Sequence, residues 1–481
     1  MELFSKFVEN NKKIRVAVVG DCVIDQYYSV SVERISPEFP IPVVKAEDSS
    51  PTSVKPGGAA NVAYQMRHAN VDVDLFCFAD EEAISTLSEF DNFKVHSACL
   101  KDSAIPRKKR FYDGHFPVFR YDVEVPDCGS DELRDELYEK FKKEVKLNRP
   151  DVVILSDYNK GVFNYNGPYF ARRIICHCRD KGIPVIVDPK TGPIEQWKGC
   201  TVFKPNSKEA KDFSGLDCWQ EQLTFLHNAL IDGTRDHQVI VTRGEDGVSG
   251  YNEKNFTKEP FWTYRSGAYN QLPSVIGAGD CFVAYLAMAF AKGHDVYESS
   301  QIADRAGGIY VRERRNHPVR PSQLLRGREA KVVTPDDLKG RGFTLACTNG
   351  CWDLIHVGYL KTFKFAKTKA DKLVVLVNSD ASVKRLKGES RPINCLEDRM
   401  EVLASIEDVD YIIPFEEDSP YDLIKEISPD CLIKGGDYTK DQIRSSELVK
   451  ETFIVPLVEG VSTTEMIKRT FKSLEEIDKK D

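Results

Sequence analysis

The stretch "SVIGAGDCFVAYLAMAFAKG", Ser274 to Gly293, decides how the first part of the chain is read. Gly277, Ala278 and Gly279 leave the backbone free to approach a ligand, and the apolar run after them predicts a helix. The unpaired amides and dipole at such a helix start suit a phosphoryl group in transfer. Asp280 stands at the same point, where a carboxylate can take a proton from an attacking hydroxyl. A Gly-rich turn with an acidic residue is also an ordinary helix start, so the motif alone leaves both readings open.

Upstream, short Val/Ile-rich runs such as "RVAVVG", "DVVILSD", "PVIVD", "TVFKPN" and "QVIVTR" alternate with helical stretches. That pattern predicts an α/β domain whose parallel sheet is covered on both faces. Ligands then bind beyond the carboxyl ends of the strands, so the polar residues there carry the reading. "VVGDCVIDQY" places Asp21 and Asp25 after the first strand, where carboxylates can bind sugar hydroxyls. "KPGGAANVA" sets Gly57 and Gly58 at a helix start with Asn61 one turn in. "KPNSKEA" spaces Asn206 and Glu209 on one helical face, suited to a hydrated Mg²⁺. "VTRGEDG", with Thr242, Gly244 and Gly247, can lie along a nucleotide. Two extended segments, "IPVVKAEDSSPTSVKPGG" and "IPRKKRFYDGHFPVFRYDVEV", predict a small antiparallel flap.

The 481 residues exceed one ordinary core. A charged and proline-bearing stretch, "LLRGREAKVVTPDDLKGRG", places a linker at 326–342 between domains at 1–325 and 343–481. The net charge of -8 argues against a broad nucleic-acid-binding face. No apolar run approaches the roughly 20 residues of a spanning helix. With no apolar signal core in "MELFSKFVENNKK", the expected location is the cytoplasm, away from nucleic acid and membrane. The 13 cysteines are scattered singly, as reduced core residues would be; "ICHCRD" has the wrong helical spacing for a metal site.

Together the motifs of the first domain resemble the ribokinase-like carbohydrate kinases, and within them the bacterial heptose-7-phosphate kinases. "ERISPEFPIPVVK", "PGGAANVA", "LSDYNKG" and "DPKTG" carry the closer likeness. The resemblance implies transfer of the ATP γ-phosphate to the anomeric hydroxyl of a mannoheptose 7-phosphate, with Asp280 as base and Gly277 to Gly279 as anion hole. It also implies sugar contacts from Asp25, Gly58, Asn61 and Lys160, and a homodimer formed through "RISPEFPIPVV". The anionic substrate calls for cations, for which "RKKR" (Arg107 to Arg110) and Arg120 are candidates. The chain departs from its relatives at Ser274–Ile276 and in "RERRNHPVRP".

The remainder opens a second α/β pattern, a Rossmann-like domain with strands in "FTLACTNG", "KLVVLVNSD", "VDYIIPF", "DCLIKGGD" and "TFIVPLVEG". "TNGCWDLIHVGYL" resembles the signature of the His-x-Gly-His nucleotidyltransferases, especially the heptose 1-phosphate adenylyltransferases fused to such kinases. What this implies is attack of a sugar phosphate on the α-phosphorus of ATP, with release of pyrophosphate. His356 and Gly358 match the signature, and Tyr359 stands where its second histidine belongs. A phenol donates a hydrogen bond but carries no positive charge near neutral pH. Thr348 and Asn349 are expected at the phosphates, Lys387 and Arg391 as neutralising cations, and Asp380 at nucleotide or sugar. Ser462, Thr463 and Thr464 open the last helix, where hydroxyls can bond the triphosphate or simply cap it. ATP and Mg²⁺ are the implied cofactors of both halves. The competing readings are a kinase with a nucleotide-binding regulatory second domain, or two active halves on another sugar phosphate.

Overall fold

The computed structural model describes residues 2–456, apart from 47, 101–103, 115, 125–128, 164–168, 233–236, 252–260, 265–276, 313–316, 326–330, 340 and 437–441. The chain divides into two compact units, Met1–Leu324 and Leu325–Asp481.

The first unit runs through β1 (Ile14–Gly20), β2 (Cys22–Ile35), β3 (Pro42–Ala46), β4 (Ser53–Gly58), β5 (Val71–Ala79), β6 (Lys94–Cys99), β7 (Arg107–Asp113) and β8 (Phe116–Val123). It continues with β9 (Val152–Ser156), β10 (Val185–Asp188), β11 (Val202–Phe203), β12 (Gln238–Thr242), β13 (Val248–Tyr251) and β14 (Phe261–Tyr264). The main sheet has the order β14-β13-β12-β11-β10-β9-β1-β5-β6. It is parallel from β6 to β12, and β13 and β14 add antiparallel. Central strands β1 and β9 are almost wholly buried, which explains their unbroken Val/Ile runs. The helix Ala278–Ala291 is apolar all round because Cys281 to Ala289 are buried on every side.

The flap is antiparallel as expected at β2–β3, β2–β4 and β7–β8, and departs from that expectation at one pair. Its order is β3-β2-β7-β8, with β4 on β2, and the β2–β7 pair is parallel. β2 leaves the main sheet directly from β1, and β7 follows β6. Those two parallel strands end on one edge, so their continuations leave in the same direction. The long strand β2 is therefore the spine of the flap, and the two extended segments read from sequence are its neighbours.

The second unit contains β15 (Leu345–Gly350), β16 (Lys372–Asn378), β17 (Tyr411–Phe415), β18 (Cys431–Gly435) and β19 (Glu451–Val455). All are parallel, in the order β17-β16-β15-β18-β19. The stretch expected as a linker contributes to this unit's core. Val333 and Leu338 are buried, and Val333 donates its N–H to the Ile412 carbonyl. Among the described residues the cysteines are free thiols; Cys218 and Cys395 are exposed, so the expectation of core residues does not extend to them.

Candidate active sites

In the first unit the strand order reverses between β1 and β9, and the polar groups collect beyond those strand ends. A cavity of about 620 Å³ opens there, lined by Gly277 to Asp280, Asp157, Tyr158, Asp188, Lys204, Asn206, Glu209, Thr242, Gly244 and Gly247.

Gly277 is the N-cap of the helix Ala278–Ala291 at φ 81°. A β-carbon there would lie 2.3 Å from the Tyr310 hydroxyl, so both backbone sign and space demand glycine. Asp280 lies in the first turn, 4% exposed. Its Oδ2 accepts from Asn61 Nδ2 at 2.5 Å, and its Oδ1 accepts from the Tyr158 hydroxyl. Asn61 is oriented in turn by Gln65 Nε2, which donates to its Oδ1 at 3.1 Å. Burial pushes the Asp280 carboxyl up, and Asp188 adds to this. The Tyr158 and Asn61 hydrogen bonds and Lys204 oppose it, leaving a value of about 6. Such a group is ionised at neutral pH yet still able to accept a proton.

Asp21 does not present a free carboxylate. It is 1% exposed and accepts the backbone N–H groups of Tyr158 (2.8 Å), Lys160 (3.1 Å) and Val162 (2.9 Å). It therefore shapes the loop after β9, where the sequence alone suggested a sugar contact. Gly58, at φ 59°, allows this packing, since a β-carbon would lie 2.3 Å from the Asp21 carbonyl oxygen. Asp25 is held by two nitrogens of Arg110, Nε at 3.0 Å and Nη2 at 2.9 Å. Gly57 fits against the same carboxylate, because a β-carbon there would lie 2.8 Å from the Asp25 Oδ2. Lys160 pairs with Glu124, and Arg120 pairs at 2.8 Å with Asp122 on the exposed flap. Arg107 is occupied by Asp80 and Glu82.

On the cavity's other side, Asn206 and Glu209 form a reciprocal capping box at the start of the helix Ser207–Ser214. Glu209 also accepts from Lys190 at 2.9 Å. Both side chains thus have structural duties, and each still faces the cavity. Carboxylates of Asp157, Asp188 and Glu209 beside an Asn amide are hard oxygen donors, a set that fits a hydrated divalent ion. Thr242 ends β12, and Gly244 and Gly247 turn the chain along the rim at positive φ.

In the second unit the order reverses at β15, between β16 and β18. Thr348 is buried near the end of β15, and Asn349 Oδ1 accepts from Lys434 Nζ at the end of β18. Burial lowers the Lys434 ammonium pKa. His356 caps the helix Val357–Lys367, and Gly358 leaves room for its imidazole, 3.0 Å from where a β-carbon would stand. Tyr359 stacks on that ring with centroids 4.0 Å apart and meets Trp352 edge-on at 4.8 Å. His356 Nδ1 is buried without a hydrogen-bond partner among the described residues, and burial lowers its pKa. Arg391 Nε donates to Asp353 at 2.6 Å, and the same carboxylate takes the N–H groups of Ile393 and Asn394 at 2.9 Å. Burial alone would raise the Asp353 carboxyl, but those bonds hold it below the usual range. Asp380 is paired with the buried Arg399 at 2.7 Å, and Lys387 is exposed. Ser462, Thr463 and Thr464 lie outside the described residues, as do Ser274–Ile276.

Sequence reading passed over Tyr158, Asp188, Lys204, Asp353 and Lys434. Two of the stretches it singled out, "LSDYNKG" and "DPKTG", begin at strand ends, which was the available signal for Tyr158 and Asp188.

Comparison with known proteins gives the two halves separate matches. Residues 169–318 match the pfkB family carbohydrate kinase model, and 347–472 match the cytidylyltransferase-like model. The chain is 34% identical to the "Bifunctional protein HldE" of Coxiella burnetii (strain RSA 331 / Henzerling II), over 95% of this chain and 97% of that one. It is likewise 34% identical to that of Haemophilus influenzae (strain PittEE), with the same shares covered. Among solved structures, Escherichia coli phosphofructokinase-2 in complex with potassium superposes with a TM-score of 0.52 at 17% identity, covering 65% of this chain and 97% of that one.

Proposed function

This chain belongs to the family of the bifunctional HldE proteins, and on that premise we propose that it makes an ADP-activated heptose in two non-consecutive steps. The first unit is a carbohydrate kinase and the second a nucleotidyltransferase. The kinase transfers the ATP γ-phosphate to the anomeric hydroxyl of D-glycero-D-manno-heptose 7-phosphate. The nucleotidyltransferase joins heptose 1-phosphate to the adenylyl group of ATP and releases pyrophosphate. The 7-phosphate is removed between the steps by another enzyme.

In the kinase, Asp280 takes the hydroxyl proton as the sugar oxygen attacks the γ-phosphorus. The bond to the β,γ-bridging oxygen breaks and ADP leaves. Amides of Gly277 to Gly279 face the charge that develops on the phosphoryl oxygens. Asn61 and the Asp25–Arg110 pair line the sugar side, and Arg110 supplies positive charge toward the 7-phosphate. Asn206 and Glu209 are the residues that would hold Mg²⁺, which would supply positive charge against the ATP phosphates. In the nucleotidyltransferase the residues position two anions and neutralise them, with little proton chemistry required. Thr348, the Asn349–Lys434 pair, His356, Lys387 and Arg391 serve that purpose.

The observation that carries this reading is the placement of Asp280: buried, ionisable near neutrality and set in the first turn of a helix that opens a cavity of about 620 Å³. Cytoplasmic location is consistent with free cysteines and the need for ATP. The exposed Ile35, Phe39 and Ile41 on the flap support pairing with a second copy. The test supplies the purified chain with ATP, Mg²⁺ and a panel of sugar phosphates, measuring ADP and pyrophosphate separately. Preference for a hexose phosphate over heptose 7-phosphate would overturn the substrate assignment.

A further inference from the structure

The base of the kinase is held by hydrogen bonds within the protein. Both Asp280 oxygens accept hydrogen bonds, one from Asn61 and one from the Tyr158 hydroxyl. Asn61 is fixed by Gln65 from within its own helix. Tyr158 is attached differently. It sits on the loop after β9, whose backbone is drawn in by Asp21 at Tyr158, Lys160 and Val162. Asp157, one residue earlier, accepts the N–H groups of Asn159 at 2.8 Å and Lys190 at 3.1 Å. The loop is thus anchored along its backbone, and the phenol reaches Asp280 from it through a single side-chain hydrogen bond. Lys108 of β7 in the flap lies 5.7 Å from the ring centroid, so the flap and the base meet at this residue.

We propose that Tyr158 is a positioning residue that occupies the acceptor-hydroxyl position on Asp280, withholding the base from water until the sugar hydroxyl displaces the phenol. This rests on Asp280 being the base. The chemical need is specific. A carboxylate ionised at neutral pH beside bound ATP can deprotonate water as well as a sugar. Water would then attack the γ-phosphorus, the β,γ-bridging bond would break, and ATP would be lost as ADP and phosphate. A phenol suits the task because its hydroxyl donates to the Asp280 carboxylate, as the acceptor sugar's hydroxyl would. The sugar's hydroxyl can replace that donation atom for atom, whereas water arriving alone lacks the remaining sugar contacts that would drive the exchange.

The same hydrogen bond lowers the Asp280 pKa, so its loss has a second consequence. The groups facing Asp280 are Asn61 from the helix after β4, Asp188 at the end of β10, Lys204 after β11, and Tyr310 from the helix Val296–Arg312, with Asp304 of that helix lining the same cavity. Asp188 disfavours its ionised form and Lys204 favours it; neither is altered by removing the Tyr158 hydroxyl.

The test uses the full chain, its Tyr158→Phe variant and an Asp280→Asn control. ADP release is measured with Mg-ATP alone and with heptose 7-phosphate. Tyr158→Phe should raise sugar-independent ADP release by roughly 10- to 100-fold, the size of one hydrogen bond to a charged group. It should also move the acid limb of kcat/KM to higher pH. Installing 3-fluorotyrosine at position 158, which keeps the ring and strengthens the donor, should move that limb the other way. It covers the case in which the phenylalanine variant misfolds. Unchanged sugar-independent turnover together with unmoved limbs would overturn the proposal. Full turnover in Asp280→Asn would instead overturn the assignment of the base, so the two failures are separable.

Discussion

The two units place their anion chemistry at equivalent points, where the strand order of a parallel sheet reverses, yet they prepare their central side chain in opposite ways. Asp280 is enclosed, with both oxygens satisfied by neutral donors and a pKa near 6. His356 has a buried Nδ1 without a partner among the described residues, and the phenol of Tyr359 stacks on its face. Proton abstraction needs a tuned base, and tuning requires burial with compensating hydrogen bonds. Adenylyl transfer needs charge and position, which can be shared among several cations. A single lost group should therefore be severe in the first unit and graded in the second.

The largest expected effect is on the kinase. Asp280→Asn should lower ADP formation with heptose 7-phosphate by roughly 10²- to 10⁴-fold, the usual worth of a positioned base. Pyrophosphate release by the second unit should be unchanged. A loss of both activities would mean that the contrast between the units is confounded by misfolding, which circular dichroism of the variant would reveal.

Tyr359→His probes the other side of the comparison. An imidazole there can become cationic beside the phosphates, so pyrophosphate release from ATP and heptose 1-phosphate should rise by about 10- to 100-fold. An unchanged rate would show that the phenol's stacking and hydrogen-bonding capacity already suffice. Lys434→Met should act more modestly, lowering the same rate by roughly tenfold through loss of one charge-assisted contact. Its KM for ATP should rise with kinase turnover untouched; a loss confined to the kinase would contradict the placement of Lys434 beside Asn349.

How much of this was legible beforehand differs by residue. The alternation of apolar strands with helices gave both sheets, and "GAGD" and "IHVG" marked helix starts whose geometry glycine dictates. Asp280, Asn61 and His356 were readable because each sits at a helix start or its first turn, where local sequence sets direction. Asp21 was not, because its role depends on three N–H groups from a loop that lies far along the chain. The pairings of Asn349 with Lys434 and, over a shorter span, Asp380 with Arg399 also join separate elements. The one parallel pair of the flap, β2–β7, escaped sequence reading for the same reason: its direction followed from which edge of the main sheet the two strands leave. Periodicity reports burial within a segment and carries no information on that.

The smallest expected effect is on stability, and it reverses the usual sign for a carboxylate. The folded pKa of Asp280, about 6, lies above its ordinary value of 3.8. The native state therefore binds this proton more tightly than the unfolded chain does. Its contribution favours folding at pH below about 4 and is lost as pH rises through 6. Two pKa units correspond to about 3 kcal/mol against the ionised native form at neutral pH. Asparagine removes that cost but offers one oxygen to two donors, which returns part of it and leaves a net gain of about 1–2 kcal/mol. Asp280→Asn should accordingly raise the Tm of the kinase transition at pH 8 and lose that advantage at pH 4. Calorimetry of the full chain can assign the transition by its response to ATP. A variant less stable than the native chain at pH 8 would mean that the Tyr158 and Asn61 bonds outweigh burial, and that the base is held by its neighbours more than it is strained by them.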